Sequence, residues 1–100
     1  MDHQEPAPPV LDQLYTVIRG RRQASPAGSY TARLFAEGRA RIAQKVGEEA
    51  LEVALASVQG QDERVVYESA DLLYHLLVLL AEHNIAPDAV YNELERRMKT

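Results

Sequence analysis

The feature that most constrains this chain is a stretch between residues 72 and 80 that is apolar on nearly every side of a helix. The aliphatic residues in it are Leu72, Leu73, Leu76, Leu77, Val78, Leu79 and Leu80. A helix of this kind has to be covered on most sides, yet the run is far shorter than the roughly 20 residues that span a bilayer. A chain of 100 residues has few other helices to cover it, so we expect a dimer or larger homo-oligomer to complete the core.

The spacing of apolar residues elsewhere predicts an all-α bundle of four to five helices, with no strand-like alternation. The predicted helices are residues 10–22, 30–37, 39–58, 63–83 and 87–98. Ser29 and Asp62 are expected as N-caps, and Gly38 and Gly60 as helix ends. These helices form one predicted domain, residues 10–100.

Composition and charge narrow the class of protein. Residues 1–9 contain three prolines and are expected to be a flexible lead-in. There is no cysteine and no apolar signal segment after Met1, so we expect a cytoplasmic location. The net charge of −4 disfavours general nucleic-acid binding. Residues 13–47 are net +6 and residues 48–100 net −7, which fits packed helices of opposite charge, self-association, or a site where a metal meets a polyanion.

Two acidic stretches carry the candidate chemistry. Glu48, Glu49 and Glu52 occupy neighbouring positions on one predicted helix, and Glu68 and Asp71 form an i,i+3 pair on the next. A short connection makes these helices antiparallel neighbours, so the five carboxylates can face one another. Mg²⁺ prefers oxygen ligands, and helix bundles hold metals between facing carboxylates. A solvated acidic face is the alternative, but Glu68 and Asp71 adjoin the apolar stretch, where an acid needs a partner.

Other chemical motifs are scarce. His75 follows Asp71 by four residues, and we expect a core histidine with a hydrogen bond, because Mg²⁺ favours oxygen over nitrogen. The five glycines are scattered, so no phosphate-binding loop is predicted, and no zinc spacing or nucleophile–histidine–acid arrangement is present.

Three runs of the chain closely resemble the phosphoribosyl-ATP pyrophosphatase family: residues 29–38 (SYTARLFAEG), 41–52 (RIAQKVGEEALE) and 67–80 (YESADLLYHLLVLL). The likeness covers roughly residues 10–98. The family belongs to the MazG-like all-α nucleotide pyrophosphohydrolases, whose signature is Glu-Glu-x-x-Glu followed by Glu-x-x-Asp. The resemblance implies a hydrolase of histidine biosynthesis that converts 1-(5-phosphoribosyl)-ATP to 1-(5-phosphoribosyl)-AMP and pyrophosphate with Mg²⁺.

The resemblance also implies roles for individual residues. The expected metal ligands are Glu49, Glu52, Glu68 and Asp71, and the expected catalytic residues are Glu48 and Glu49. Seven residues are expected to bind the substrate. The basic residues Lys45, Arg33, Arg19 and Arg22 would pair with its phosphates, and Ser29, Tyr30 and Thr31 would donate hydrogen bonds to phosphate or base. Two alternatives stay open: a MazG-like enzyme that clears non-standard nucleoside triphosphates, and a non-enzymatic helical interaction module whose acids form a polar face.

Overall fold

The structure, a computed structural model, describes residues 9–99, and within that range it contains helices and turns without a strand. Its five α-helices are α1 (Val10–Arg21), α2 (Tyr30–Glu37), α3 (Arg39–Val58), α4 (Asp62–Glu82) and α5 (Pro87–Met98). A 3₁₀ turn, Pro26–Gly28, lies between α1 and α2. The all-α prediction is confirmed, and every predicted helix begins and ends within one residue of its expected bounds. The predicted lead-in, residues 1–9, lies outside the described residues except for Pro9.

Three of the four residues predicted to cap or end a helix have the expected role. The hydroxyl of Ser29 accepts a hydrogen bond from the backbone N–H of Ala32, as expected of an N-cap. Gly38 has a φ of 101° between α2 and α3, a conformation that favours glycine. The prediction for Asp62 is wrong, because the N-cap of α4 is Gln61 and makes no side-chain cap bond. Asp62 instead lies in the first turn, where a negative charge interacts favourably with the helix dipole.

Helices α3 and α4 form an antiparallel hairpin along their whole length. At one end the guanidinium of Arg39 lies 3.5 Å from the carboxylate of Glu82, and at the other Arg64 lies 3.5 Å from Glu52. The turn between the helices is short, and Gly60 adopts a φ of 70° within it. This pairing sets residues near position 49 against residues near positions 68 to 71.

The buried core lies where α1, α2 and α3 pack against the second half of α4. Ile18, Ile42 and Val78 are almost completely buried, and Leu34 joins them from α2. Burying each such side chain contributes about 1.5–3 kcal/mol. Because these residues come from four helices, the core fixes α2 and α3 relative to α4 and thereby fixes the residues between them.

Within residues 9–99, the apolar stretch of α4 is only partly covered by the other helices. Leu73 is 42% exposed, and the leucines on its side of α4 line a groove of about 220 Å³ with residues of α1 and α5. On α3, Leu51, Leu55 and Val58 are also exposed. None of the helices in residues 9–99 is long and apolar enough to cross a membrane.

Candidate active site

The pairing of α3 with α4 brings three of the predicted carboxylates together. One oxygen from each of Glu49, Glu68 and Asp71 lies within 4.8 Å of the other two. Glu68 is buried, at 7% exposure, and the other two are half-buried. Hereafter these three residues are called the acidic cluster.

Mutual repulsion and desolvation both act on the acidic cluster. The pKa of Asp71 is raised above its ordinary value by burial first, and then by the neighbouring charges of Glu49 and Glu68. A carboxylate in this position is more easily protonated than one in water, unless a cation offsets the repulsion. The cluster therefore has the electrostatics of a cation-binding site.

Lys45 supplies one positive charge beside the acidic cluster, one helical turn before Glu49. Its ammonium lies 3.3 Å from Oε1 of Glu49 and 3.5 Å from Oε1 of Glu48. Burial lowers the pKa of Lys45, but the hydrogen bond to Glu49 and the other nearby anions outweigh it, so the pKa is raised overall. Lys45 thus stays charged at the edge of the cluster.

A second cation, Arg64, was not predicted from the sequence. Its guanidinium lies 3.1 Å from Oε2 of Glu68 and 3.5 Å from Oε2 of Glu52. The i,i+4 spacing of Arg64 and Glu68 on α4 is the signal that points to this contact. With Lys45 on α3 and Arg64 on α4, a cation lies on each helix that carries the cluster.

The two remaining predicted carboxylates lie beside the acidic cluster. Glu52 is half-buried on the next turn of α3 and faces Arg64. Glu48 is exposed and accepts a hydrogen bond of 2.9 Å from the Gln44 side chain. That bond, together with Lys45, lowers the pKa of Glu48. Their assignments as ligand and catalytic residue stay predictions.

The start of α2 is attached to α4 next to the acidic cluster. The hydroxyl of Tyr30 lies 2.8 Å from Nε2 of His75, and Nδ1 of His75 lies 2.7 Å from the backbone carbonyl oxygen of Asp71. One residue further along α2, the Thr31 hydroxyl contacts the Tyr74 hydroxyl. The prediction of a buried, hydrogen-bonded histidine is confirmed for His75, which is 5% exposed.

These contacts bear on the predicted roles of Ser29, Tyr30 and Thr31 in substrate binding. Ser29 caps α2, and the hydroxyls of Tyr30 and Thr31 each contact a side chain of α4. Thr31 is only 1% exposed, whereas the ring of Tyr30 is 42% exposed and reaches the surface. Of the three, Tyr30 is the one placed where a ligand can reach it, and the substrate roles stay predictions.

The three arginines predicted to bind the substrate lie in different parts of the fold. The guanidinium of Arg33 lies over the ring of Tyr30, 5.7 Å from its centroid. Arg22 instead donates a hydrogen bond of 2.7 Å to the backbone carbonyl of Ala81 near the end of α4. Ala81 and Asp71 are ten residues apart, roughly 15 Å along the helix axis. Arg19 is exposed on α1.

The donor set of the acidic cluster fits a hard divalent cation. It offers carboxylate oxygens from two facing helices, within a radius that one ion can bridge. His75 is not available as a further ligand in this arrangement, since both of its ring nitrogens already make hydrogen bonds. Mg²⁺ is the ion that combines such oxygen ligands with phosphate groups.

Fold and site together define an all-α protein with a carboxylate site between two antiparallel helices, of the kind found in metal-binding helix bundles. A family model described as phosphoribosyl-ATP pyrophosphohydrolase matches residues 11–98. The chain therefore belongs to the phosphoribosyl-ATP pyrophosphohydrolase family, and the resemblance noted in the sequence is confirmed. It is a hydrolase, which rules against the non-enzymatic interaction module.

Individual relatives align with this chain over most of their length, and the three that follow are each named phosphoribosyl-ATP pyrophosphatase. The chain is 53% identical over 95 residues to the Rhodospirillum rubrum protein, covering 95% of this chain and 81% of that one. It is 55% identical over 91 residues to the Trichlorobacter lovleyi protein, covering 91% and 84%. It is 50% identical over 90 residues to the Saccharolobus islandicus protein, covering 90% and 96%.

Proposed function

We propose that this chain hydrolyses 1-(5-phosphoribosyl)-ATP to 1-(5-phosphoribosyl)-AMP and pyrophosphate in histidine biosynthesis, in a reaction that depends on Mg²⁺. The observation that carries the proposal is the acidic cluster of Glu49, Glu68 and Asp71, with Lys45 beside it. Relatives about half identical to the chain are named for action on phosphoribosyl-ATP. The cytoplasmic location expected from the sequence stays a prediction.

The acidic cluster would hold Mg²⁺, with Glu52 as a further ligand from the next turn of α3. When bound there, Mg²⁺ supplies positive charge to the triphosphate oxygens and polarises the phosphorus that is attacked. The protein's own part is to keep the carboxylates in place against their mutual repulsion. Lys45 and Arg64 reduce that repulsion from the two helices.

In the proposed reaction, a water oxygen bonds to the α-phosphorus and the bond from that phosphorus to the α–β bridging oxygen breaks. Pyrophosphate leaves with the electron pair, and the proton that the water gives up passes to the surrounding solvent. Glu48 and Glu49 are the proposed catalytic residues. Because its pKa is lowered, Glu48 is a weak proton acceptor, which suits orienting the water better than deprotonating it.

Positive side chains near the cluster are proposed to bind the substrate phosphates. Lys45 is the best placed, since its ammonium is half-buried and already beside Glu49. Arg33, stacked over Tyr30, can reach a second phosphate from α2. Charge-assisted hydrogen bonds of this kind give both affinity and orientation.

The test is pyrophosphate release from phosphoribosyl-ATP by the purified chain, with and without Mg²⁺. We expect turnover that is abolished by a chelator and restored by added Mg²⁺. A panel of ordinary and damaged nucleoside triphosphates provides the comparison, and we expect a kcat/KM at least about a hundredfold lower for each of them. Equal or better turnover of the panel would favour the enzyme that clears non-standard triphosphates instead.

We also infer that a second copy of the chain covers the exposed apolar surface. Leu51, Leu55 and Val58 follow one stripe of α3 and are 58%, 41% and 81% exposed. Leu73 and the groove beside it leave the apolar stretch of α4 uncovered on another side. Large apolar side chains that recur on one helix face are typical of an interface.

A further inference from the structure

His75 makes two hydrogen bonds that lead from the start of α2 to the acidic cluster. A backbone carbonyl can only accept, so Nδ1 of His75 donates to the carbonyl oxygen of Asp71. In the neutral imidazole, Nε2 then accepts, and the hydroxyl of Tyr30 is its donor. The ring is further held between Tyr30 and Tyr74, edge to face, with centroids 5.7 Å and 5.6 Å away.

We propose that Tyr30 and His75 are a positioning pair that holds Asp71 in place within the acidic cluster. The proposal rests on the function proposed above, in which Asp71 binds the metal. His75 occupies the position four residues after Asp71, so the two side chains are neighbours on one face of α4. The bond from Nδ1 goes to the backbone carbonyl of Asp71, so the pair fixes the turn of α4 that carries the Asp71 carboxylate relative to α2.

The acidic cluster needs such support because its members repel one another. A shift of this turn of α4 away from α3 would separate Asp71 from Glu49 and lower that repulsion. A binding site works only when its groups are held to within about 0.5 Å of the productive geometry. Tyr30 provides the constraint from outside α4, since it belongs to α2, which the buried core fixes against α4.

The neighbouring contact between Thr31 and Tyr74 provides a matched comparison. It joins the same two helices one residue away, but it ends at the Tyr74 hydroxyl and does not include the carbonyl of Asp71. Tyr74→Phe therefore removes a contact between α2 and α4 of the same chemical kind. If the Tyr30 contact only joined the helices, the two phenylalanine variants would behave alike.

The experiment compares Tyr30→Phe, His75→Gln and their double variant with Tyr74→Phe. Mn²⁺ binding is measured by the loss of the free-ion electron paramagnetic resonance signal, without substrate, and kcat and KM are measured with phosphoribosyl-ATP and Mg²⁺. For Tyr30→Phe we expect both Mn²⁺ affinity and kcat to fall about tenfold, the lower end of the loss when a group that supports a metal site from outside is removed. The double variant should lose no more than the worse single one.

Tyr74→Phe should lower the thermal midpoint while Mn²⁺ affinity and kcat stay as in the wild type. Two results overturn the proposal. In the first, Tyr30→Phe matches Tyr74→Phe in every measurement. In the second, Tyr30→Phe raises KM alone and keeps its Mn²⁺ affinity, which would make Tyr30 a substrate contact. Tyr30→Phe removes one oxygen from a partly exposed side chain, so it keeps the test valid if His75→Gln fails to fold. A wild type that binds Mn²⁺ but does not hydrolyse phosphoribosyl-ATP refutes the proposed function and leaves the Mn²⁺ comparison as the test of the pair.

Discussion

The ammonium of Lys45 lies 3.3 Å from a carboxylate oxygen of Glu49, and that carboxylate also belongs to the acidic cluster with Glu68 and Asp71. One side chain of α3 thus connects the positive and the negative parts of the site. The cation lies on the same helix as its partner, one turn away. Substrate phosphate and metal would meet at this contact.

Replacing Lys45 with methionine removes the charge and keeps most of the length of the side chain. We expect KM for phosphoribosyl-ATP to rise roughly tenfold to a hundredfold, because a hydrogen bond to a charged group contributes about 1.5–3 kcal/mol. The measurement is steady-state kinetics at saturating Mg²⁺, with Lys45→Arg as the charge-preserving control. An unchanged KM in Lys45→Met would show that the ammonium only balances Glu49.

Adjacent glutamates on α3 should separate metal binding from catalysis. Glu49 lies in the acidic cluster, whereas Glu48 is exposed and bonded to Gln44. We expect Glu49→Gln to lose Mn²⁺ binding and at least about a hundredfold in kcat, because several kcal/mol of charge stabilisation depend on the ion. Glu48→Gln should keep its Mn²⁺ affinity and lose about a hundredfold in kcat, because the attacking water is then less well oriented. Equal loss of Mn²⁺ binding in both would contradict this division.

The raised pKa of Asp71 predicts a pH-dependent stability in the metal-free protein. An acid with a raised pKa binds its proton more tightly when folded, so its destabilising effect is complete above the folded-state pKa. The effect fades as the pH falls through that value, and it vanishes below the ordinary pKa of about 3.8. Asp71→Asn should therefore be more stable than the wild type at pH 7, within the roughly 0.5–2 kcal/mol usual for a stabilising substitution, although we expect it to be inactive.

Urea unfolding in the presence of a chelator measures that difference. We expect the advantage of Asp71→Asn to shrink as the pH falls through the raised folded-state pKa, and to be lost below the ordinary pKa of about 3.8. Added Mg²⁺ should reverse the order at pH 7, because only the wild type gains about 2.7 kcal/mol from an ion at a hundred times its Kd. A variant less stable than the wild type at pH 7 without metal would mean that Asp71 supports the fold.

Much of the fold and the centre of the site could be predicted from the sequence, because both depend on local spacing. Apolar periodicity and glycine positions predicted five helices to within one residue of their ends. Once α3 and α4 are antiparallel neighbours, the spacing of Glu49, Glu68 and Asp71 brings them together. Neither prediction requires knowledge of the contacts between other segments that are distant in the sequence.

The parts of the site that could not be predicted depend on packing between distant segments. The contact of Tyr30 with His75 spans 45 positions, and it exists only because the core fixes α2 against α4. The contact of Arg22 is of the same kind, since its guanidinium reaches the backbone carbonyl of Ala81, 59 positions along the chain. Charge type is visible in a sequence, whereas the direction of a long side chain is set by the fold.

The exposed stripe of α3 predicts that one added charge will change the assembly of the chain. Leu55→Lys places a cation between Leu51 and Val58, and burying it against a second copy would cost several kcal/mol. We expect the homo-oligomer to dissociate, as measured by sedimentation equilibrium at several concentrations. Val17→Lys, at an apolar position on α1 that is 50% exposed, is the control and should leave the assembly intact. A wild type that sediments as a monomer, or a Leu55→Lys variant that stays assembled, would contradict the prediction.

Replacing Arg22 with glutamine should lower the stability of the fold, whereas replacing Arg33 with glutamine should weaken substrate binding. Arg22 bonds to the carbonyl of Ala81, faces Glu82 at 3.7 Å and covers the ring of Phe35. Losing these contacts should cost about 1.5 kcal/mol, which lowers the thermal midpoint of a chain of this size by roughly 6–12 °C. Arg33→Gln should leave the midpoint nearly unchanged and raise KM, because its guanidinium is exposed above Tyr30. If Arg22→Gln instead raised KM at an unchanged midpoint, the sequence-based assignment of Arg22 to the substrate would hold after all.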